Sequence, residues 1–271
     1  MAVFSLDRRI VVPNVRPWGF EMGAVGGWLP TELSGLVLWL DAADADTITL
    51  DGSDNVEQWA DKSGSGNNTV GVLENRPVVE TVSDKEYIRF STAGSLSVTP
   101  SRFLWDGDAV STFIVLRLYG YDNTKVAYCI GENIDGTRNA AALRLETSTA
   151  TWIRTWGGAV SWGGVPVDSS LIIFNAYEGD QDWVLYRDGA LISVSQNTFG
   201  TNIMQWAPSN LISIGNNWQG TNNLNGSIGE FLIYGGTISE SNRQKVEGYL
   251  AHKWGLTANL PSAHPYKTEA P

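Results

Sequence analysis

Between Leu36 and Tyr234 the chain is a succession of short apolar or alternating runs, punctuated by Gly, Asn, Asp and Ser, with almost no helical spacing. Leu36-Val-Leu-Trp-Leu40 is continuous and apolar, as a strand buried on both faces should be, and Asp41 ends it. Ser111–Tyr119 and Leu171–Tyr177 read as core strands, while Ala141–Glu146 and Thr151–Trp156 alternate between two faces. Val56–Trp59, Tyr87–Phe90, Ser95–Val98, Leu211–Gly215 and Gly226–Tyr234 complete the set. Trp183–Arg187 and Ala190–Ser193 flank Asp188-Gly189, which suits the positive φ angles of a type I′ hairpin turn. Strands this close together, with no crossover helices between them, exclude a parallel sheet. The expected fold is all-β, two antiparallel sheets packed face to face.

One helix is predicted over residues 239–254. Ser239 is a good N-cap and Glu240 places negative charge in the first turn. Val246, Tyr249, Leu250 and Trp254 fall on one apolar stripe, and Gly255 suits the left-handed position beyond the helix end. Pro261 and Pro265 then hold the tail extended.

The net charge of −11 argues against nonspecific nucleic-acid binding and against docking on an anionic membrane. Cys129 is the single cysteine, so neither an internal disulfide nor a cysteine-based zinc site is available. Its apolar context, Val126-Ala-Tyr-Cys-Ile130, predicts a buried small hydrophobe. No apolar run is long enough to span a membrane, and Pro13, Asn14, Arg16 and Pro17 break any signal-peptide core.

Residues 1–33 differ from the rest. They are too rich in Pro and Gly to build a core, yet Phe4, Ile10, Trp18, Phe20 and Trp28 are too apolar for a solvated linker. They read as an arm that packs on another subunit or scaffold protein, or as an extended segment covering its own domain. The domain proper is expected over 34–271.

Seven motifs come in a fixed order: LVLWLDA from Leu36, VEQWADKSGSG from Val56, Tyr87–Phe90, WVLYRDG from Trp183, LISIG from Leu211, GSIGEFLIY from Gly226, and VEGYLAHKWGL…LPSAHPY from Val246 to Tyr266. Together they resemble the laminin-G-like, concanavalin A-like jelly-roll domains, in the variant common in bacteriophage virion proteins and bacterial surface proteins. The resemblance covers roughly residues 34–267. It implies a jelly-roll sandwich and a role in binding glycans, binding proteins or building structure.

Four chemistries bear on these residues. Retaining glycoside hydrolysis needs two carboxylates about 5–5.5 Å apart. Glu230 has no acidic neighbour on its own strand face, and Asp61, four residues after Glu57, begins a loop. No catalytic residue, and a chain that is not an enzyme, is the expectation. Calcium needs about six to eight oxygens. Asp41, Asp44 and Asp61 are the candidate ligands, although capping of turns or pairing with Lys62 would use the same carboxylates. No other cofactor is implied. His252 and His264 lie in the closing motif without triad or metal spacing, and are expected to tie the helix and tail to the sandwich. Sugars stack on aromatic rings while their hydroxyls seek amides. Trp156, Trp162, Trp206 and Trp218 lie in or beside Gly/Asn-rich loops, with Asn216 and Asn217 adjacent, and are the candidate glycan-binding residues. Trp39, Trp59, Trp183 and Trp254 look like core.

The expected role is a phage virion protein, a capsid decoration, head-fibre or tail-associated subunit. It would be made in the host cytoplasm without a signal peptide and held on the particle by residues 1–33. Its expected partners are other virion proteins, further copies of itself and cell-surface glycans. A bacterial lectin-like module is the alternative.

Overall fold

The structure is a computed structural model that describes residues 27–71, 76–91, 94–98, 109–120, 125–130, 133–134, 137–138, 141–147, 150–155, 158–163, 166–178, 182–195, 212–216 and 222–271. Phe4, Ile10, Trp18 and Phe20 lie outside them.

Two large antiparallel sheets make up the described residues, one of eight strands and one of nine, with a two-stranded ladder beside them. In the eight-stranded sheet the neighbours run Ala190–Ser195, Asp182–Arg187, Ser170–Glu178, Val110–Leu118, Gly226–Gly235, Lys85–Phe90 and Val78–Val82. The opening strand, Leu36–Asp41, joins the closing strand, Gly226–Gly235, on the side where Lys85–Phe90 pairs with its start. In the nine-stranded sheet the order is Gly158–Gly163, Ala150–Thr155, Ala141–Thr147, Lys125–Ile130, Ile212–Ile214, Leu96–Val98, Thr69–Gly71, Val56–Trp59 and Ile48–Leu50. Strands from both ends of the chain thus lie side by side in the first sheet.

The core sits between the sheets. Phe231 of the closing strand meets Tyr128 of the other sheet at 4.8 Å between ring centroids, and the Tyr128 hydroxyl lies 2.7 Å from that of Thr112. Phe90, Ile114, Leu116, Ile130, Leu143 and Ile214 are fully buried with them or nearly so. Trp39, Trp59 and Trp254 are buried, as expected, and so is Cys129; the side chain of Trp183 lies outside the description.

The hairpin and helix signals are realised, but the tail expected to run extended through Pro261 and Pro265 turns instead, with the His264 N–H donating to the Pro261 carbonyl and the Lys267 N–H to the His264 carbonyl. Asp188 and Gly189 both have positive φ, 49° and 78°, as the type I′ hairpin requires. The helix spans Glu240–Trp254; the Ser239 side chain accepts from the Asn242 N–H, and Gly255 ends the helix at φ 71°. This helix and the tail cover the outer face of the eight-stranded sheet. The contact is close: a Cβ on Gly229 would come within 2.7 Å of the Trp254 ring, and one on Gly248 within 2.4 Å of Tyr266. No helix among the described residues is long and apolar enough to cross a membrane.

Candidate functional site

Two charged constellations share that outer face, one under the helix and one beyond it. The first is built on Glu230, which is fully buried. Its carboxylate accepts from Trp39 Nε1 at 2.7 Å, Trp254 Nε1 at 2.7 Å and the Tyr249 hydroxyl at 3.0 Å, and Lys253 Nζ lies 2.8 Å away. The same ammonium is 2.6 Å from Asp41, and Lys62 reaches Asp41 at 2.8 Å and Asp44 at 2.6 Å. Burial raises the Glu230 pKa by more than Lys253 lowers it. Burial acts the same way on Asp41, but there Lys253 and Lys62 outweigh it and the pKa is lowered. Burial of Tyr249, with Glu230 beside it, pushes that hydroxyl far up, so it stays a donor.

Glu230 has no acidic neighbour on its own strand, as expected, but the neighbouring strand supplies one: Asp41 faces it across the opening and closing strands. The pair is nevertheless sealed by two indoles, a phenol and two lysines, so no substrate reaches it. Its chemistry is that of a satisfied buried ion network that fixes the helix to the sheet.

The calcium candidates are engaged in the same region. Asp41 and Asp44 converge on Lys62, while Asp61 accepts from the backbone N–H groups of Trp39, Ser63 and Asn67 and so shapes its own loop. Among the described residues no group of three or more His, Cys, Asp or Glu is placed to hold a metal ion. The histidines tie helix to tail: His252 Nε2 lies 3.0 Å from the Tyr266 carbonyl, and His264 Nε2 lies 3.2 Å from Glu247. Arg243 grips Glu247 from the other side at 2.6 Å and stacks 3.7 Å over Tyr186.

The second constellation begins where the helix cover stops. Cross-strand register puts Ser170, Arg117, Ser227, Arg89 and Val78 in one row across five strands, on one face. Two tyrosines frame that row. Tyr87 packs on Trp254 with ring centroids 4.8 Å apart and planes tilted by 54°, and its hydroxyl lies 2.9 Å from Ser170 Oγ. Tyr119 donates to Glu80 at 2.8 Å, and Ser227 Oγ donates to the same oxygen at 2.5 Å. Arg89 lies 4.5 Å from the Tyr119 ring centroid and Arg117 lies 5.4 Å from it. Arg89 donates to the carbonyls of Phe90 and Gly226 and, at 2.9 Å, to Asn225 Oδ1. Arg117 has a buried Nε with no hydrogen-bond partner. Burial raises both tyrosine pKa values, so both hydroxyls stay protonated. Within the row Ser170, Arg117 and Arg89 are half-buried and Val78 is exposed, while Ser227 between the arginines is buried, as is Tyr87. Sequence reasoning missed it, because its members come from five separate strands.

Two of the glycan candidates read from sequence lie among the described residues. Trp162 sits not in a loop but in the outermost strand of the nine-stranded sheet, where it pairs with Thr151. Asn216 is buried, with 7% of its surface exposed. Trp156, Trp206, Asn217 and Trp218 lie outside the described residues. Trp28, assigned to the arm, packs on its own domain: its ring meets Tyr249 edge-on at 6.2 Å, and its backbone N–H donates to the Pro271 carbonyl at 3.4 Å.

No protein-family model matches the chain, and no curated protein matches it by sequence. Solved structures do match. A Trypanosoma rangeli sialidase in complex with sialic acid aligns with a TM-score of 0.60 at 13% identity, over 82% of this chain and 33% of that one. The binding domain of botulinum neurotoxin DC in complex with rat synaptotagmin II aligns at 0.55 and 12%, over 80% and 52%. The chain has their β-sandwich fold. A botulinum neurotoxin type C structure, described as dependent on two ganglioside molecules for cell entry, aligns equally well, over 80% and 51%. The chain spans a third to a half of the length of these chains. The sialidases overturn one expectation: a chain that shares its fold with enzymes of glycan chemistry is not set apart from enzymes, and the reading of this chain as a non-enzyme is withdrawn.

Proposed function

We propose that the chain is a lectin-like, glycan-binding module carried on a bacteriophage particle. The observation that carries the binding role is the row from Ser170 to Val78. It is a stretch of sheet in which two half-buried guanidinium groups, the Asn225 amide and the Ser170 hydroxyl stand near half-buried Tyr119. Sugar recognition needs this mixture of fixed polar groups and aromatic surface. The fold supports the same reading, since the solved relatives include structures described with sialic acid and with gangliosides. The place on a particle rests on the resemblance of the closing motif to virion proteins and on the apolar residues of the first thirty-three.

A glycan array probed with the full chain tests the binding role. Selective retention of a group of related glycans is the expected result, and a blank array overturns the proposal.

A further inference from the structure

We propose that Arg117 and Arg89 form a subsite for the carboxylate of an acidic sugar. This deepens the glycan-binding role and rests on it. The chain as a whole repels anions, with a net charge of −11. Even so, two arginines stand on either side of Ser227 in one row, one strand away from it in each direction. Neither has an ion pair among the described residues, unlike Arg76 and Arg243, which do.

Each guanidinium is held but not neutralised. Two backbone carbonyls and Asn225 fix Arg89, and its packing on Tyr119 sets its plane. Arg117 packs against the other guanidinium's tyrosine and leaves a buried Nε without an acceptor. Glu80 is the nearby acid, and its Oε2 is taken by the hydroxyls of Tyr119 and Ser227. That leaves one positive charge in excess. Neighbouring strands lie about 4.8 Å apart, so the two arginine backbones are about 10 Å from each other. A guanidinium fork pairs with a carboxylate through two parallel hydrogen bonds, a match that a neutral sugar cannot make.

The test uses the full chain and titrates it with tetragalacturonate and with sialyllactose, each beside its methyl ester, which keeps the sugar and removes the charge. At least one acid should bind, its ester about tenfold more weakly or not at all, and Arg117→Gln should lose about the same factor. Affinity for the acid should fall as salt rises. The acid and ester comparison needs no variant, so it stands even if Arg117→Gln fails to fold. Equal binding of acid and ester, or full affinity in a folded Arg117→Gln chain, overturns the subsite. Binding of neutral glycans without either acid overturns the subsite and leaves the glycan role intact. A chain that binds no glycan at all overturns both.

Discussion

Asp41 and Glu230 face each other across the opening and closing strands, and the single ammonium of Lys253 lies 2.6 Å from one carboxylate and 2.8 Å from the other. One lysine from the helix therefore joins the two strands that are farthest apart in sequence. Around it Trp39, Tyr249 and Trp254 use their polar atoms on Glu230 and their rings to keep water out.

Removing that ammonium should be costly. Lys253→Met leaves two buried carboxylates opposite each other with Lys62 alone to offset them. The expected loss is about 3–5 kcal/mol of unfolding free energy, measured by denaturant titration. Adding Glu230→Gln to Lys253→Met should recover part of the loss, because the uncompensated charge is gone. Two losses that simply add would show that the residues do not form one network.

The tail is expected to answer to one methyl group. A Cβ on Gly248 would stand 2.4 Å from the Cβ of Tyr266, in a helix interior where alanine is otherwise favoured. Gly248→Ala should therefore destabilise by about 1–3 kcal/mol through overpacking. Removing the obstacle with Tyr266→Gly, which deletes that Cβ, should abolish most of the difference between glycine and alanine at 248. A stabilising Gly248→Ala would mean that the tail does not lie against the helix as described.

Asp51 gives a pH signature. Its carboxylate accepts from the backbone N–H of Asn55 and then of Ser53, with Arg76 also bonded, which lowers its pKa from 3.8 to about 2. A carboxylate with a lowered folded-state pKa contributes stability that is present above its unfolded value. That contribution is lost as pH falls from 3.8 through about 2. Stability measured over this window should drop less steeply in Asp51→Asn than in the natural chain. Equal slopes would show that the turn does not hold the charged form.

The first residues divide at Trp28. Because Trp28 packs on Tyr249, Trp28→Ala should cost about 1 kcal/mol even in the isolated chain. Deleting residues 1–26 keeps that contact, and should change unfolding by less than about 0.5 kcal/mol while abolishing incorporation into particles. An immunoblot of purified particles checks the second part. Incorporation of the shortened chain would refute the arm.

What the sequence revealed was local, and what it hid was register. The Asp188-Gly189 turn, the Ser239 cap and the Gly255 stop each depend on a few consecutive residues, and each stands where the sequence put it. The histidine clasp was visible for the same reason, since His252 and His264 lie within one short motif. Asp41 and Glu230 could not be paired by reading along the chain, because their contact exists only once the opening strand pairs with the closing one. The row Arg117–Ser227–Arg89 was hidden in the same way, spread over three strands that meet only in the sheet. Ile48–Leu50 and Thr69–Gly71 are too short to show a period at all. Trp162 looked like a loop residue because glycines flank it, yet backbone pairing with Thr151 carries the strand through it.

Where a bound glycan lands is the most direct test. Hydrogen–deuterium exchange of the full chain, with and without a glycan retained on the array, reads this segment by segment. Protection is expected over residues 116–120, 225–228 and 87–91, which carry the row, with no change over 247–266. Protection centred on the helix and tail, with the row unaffected, would contradict the account.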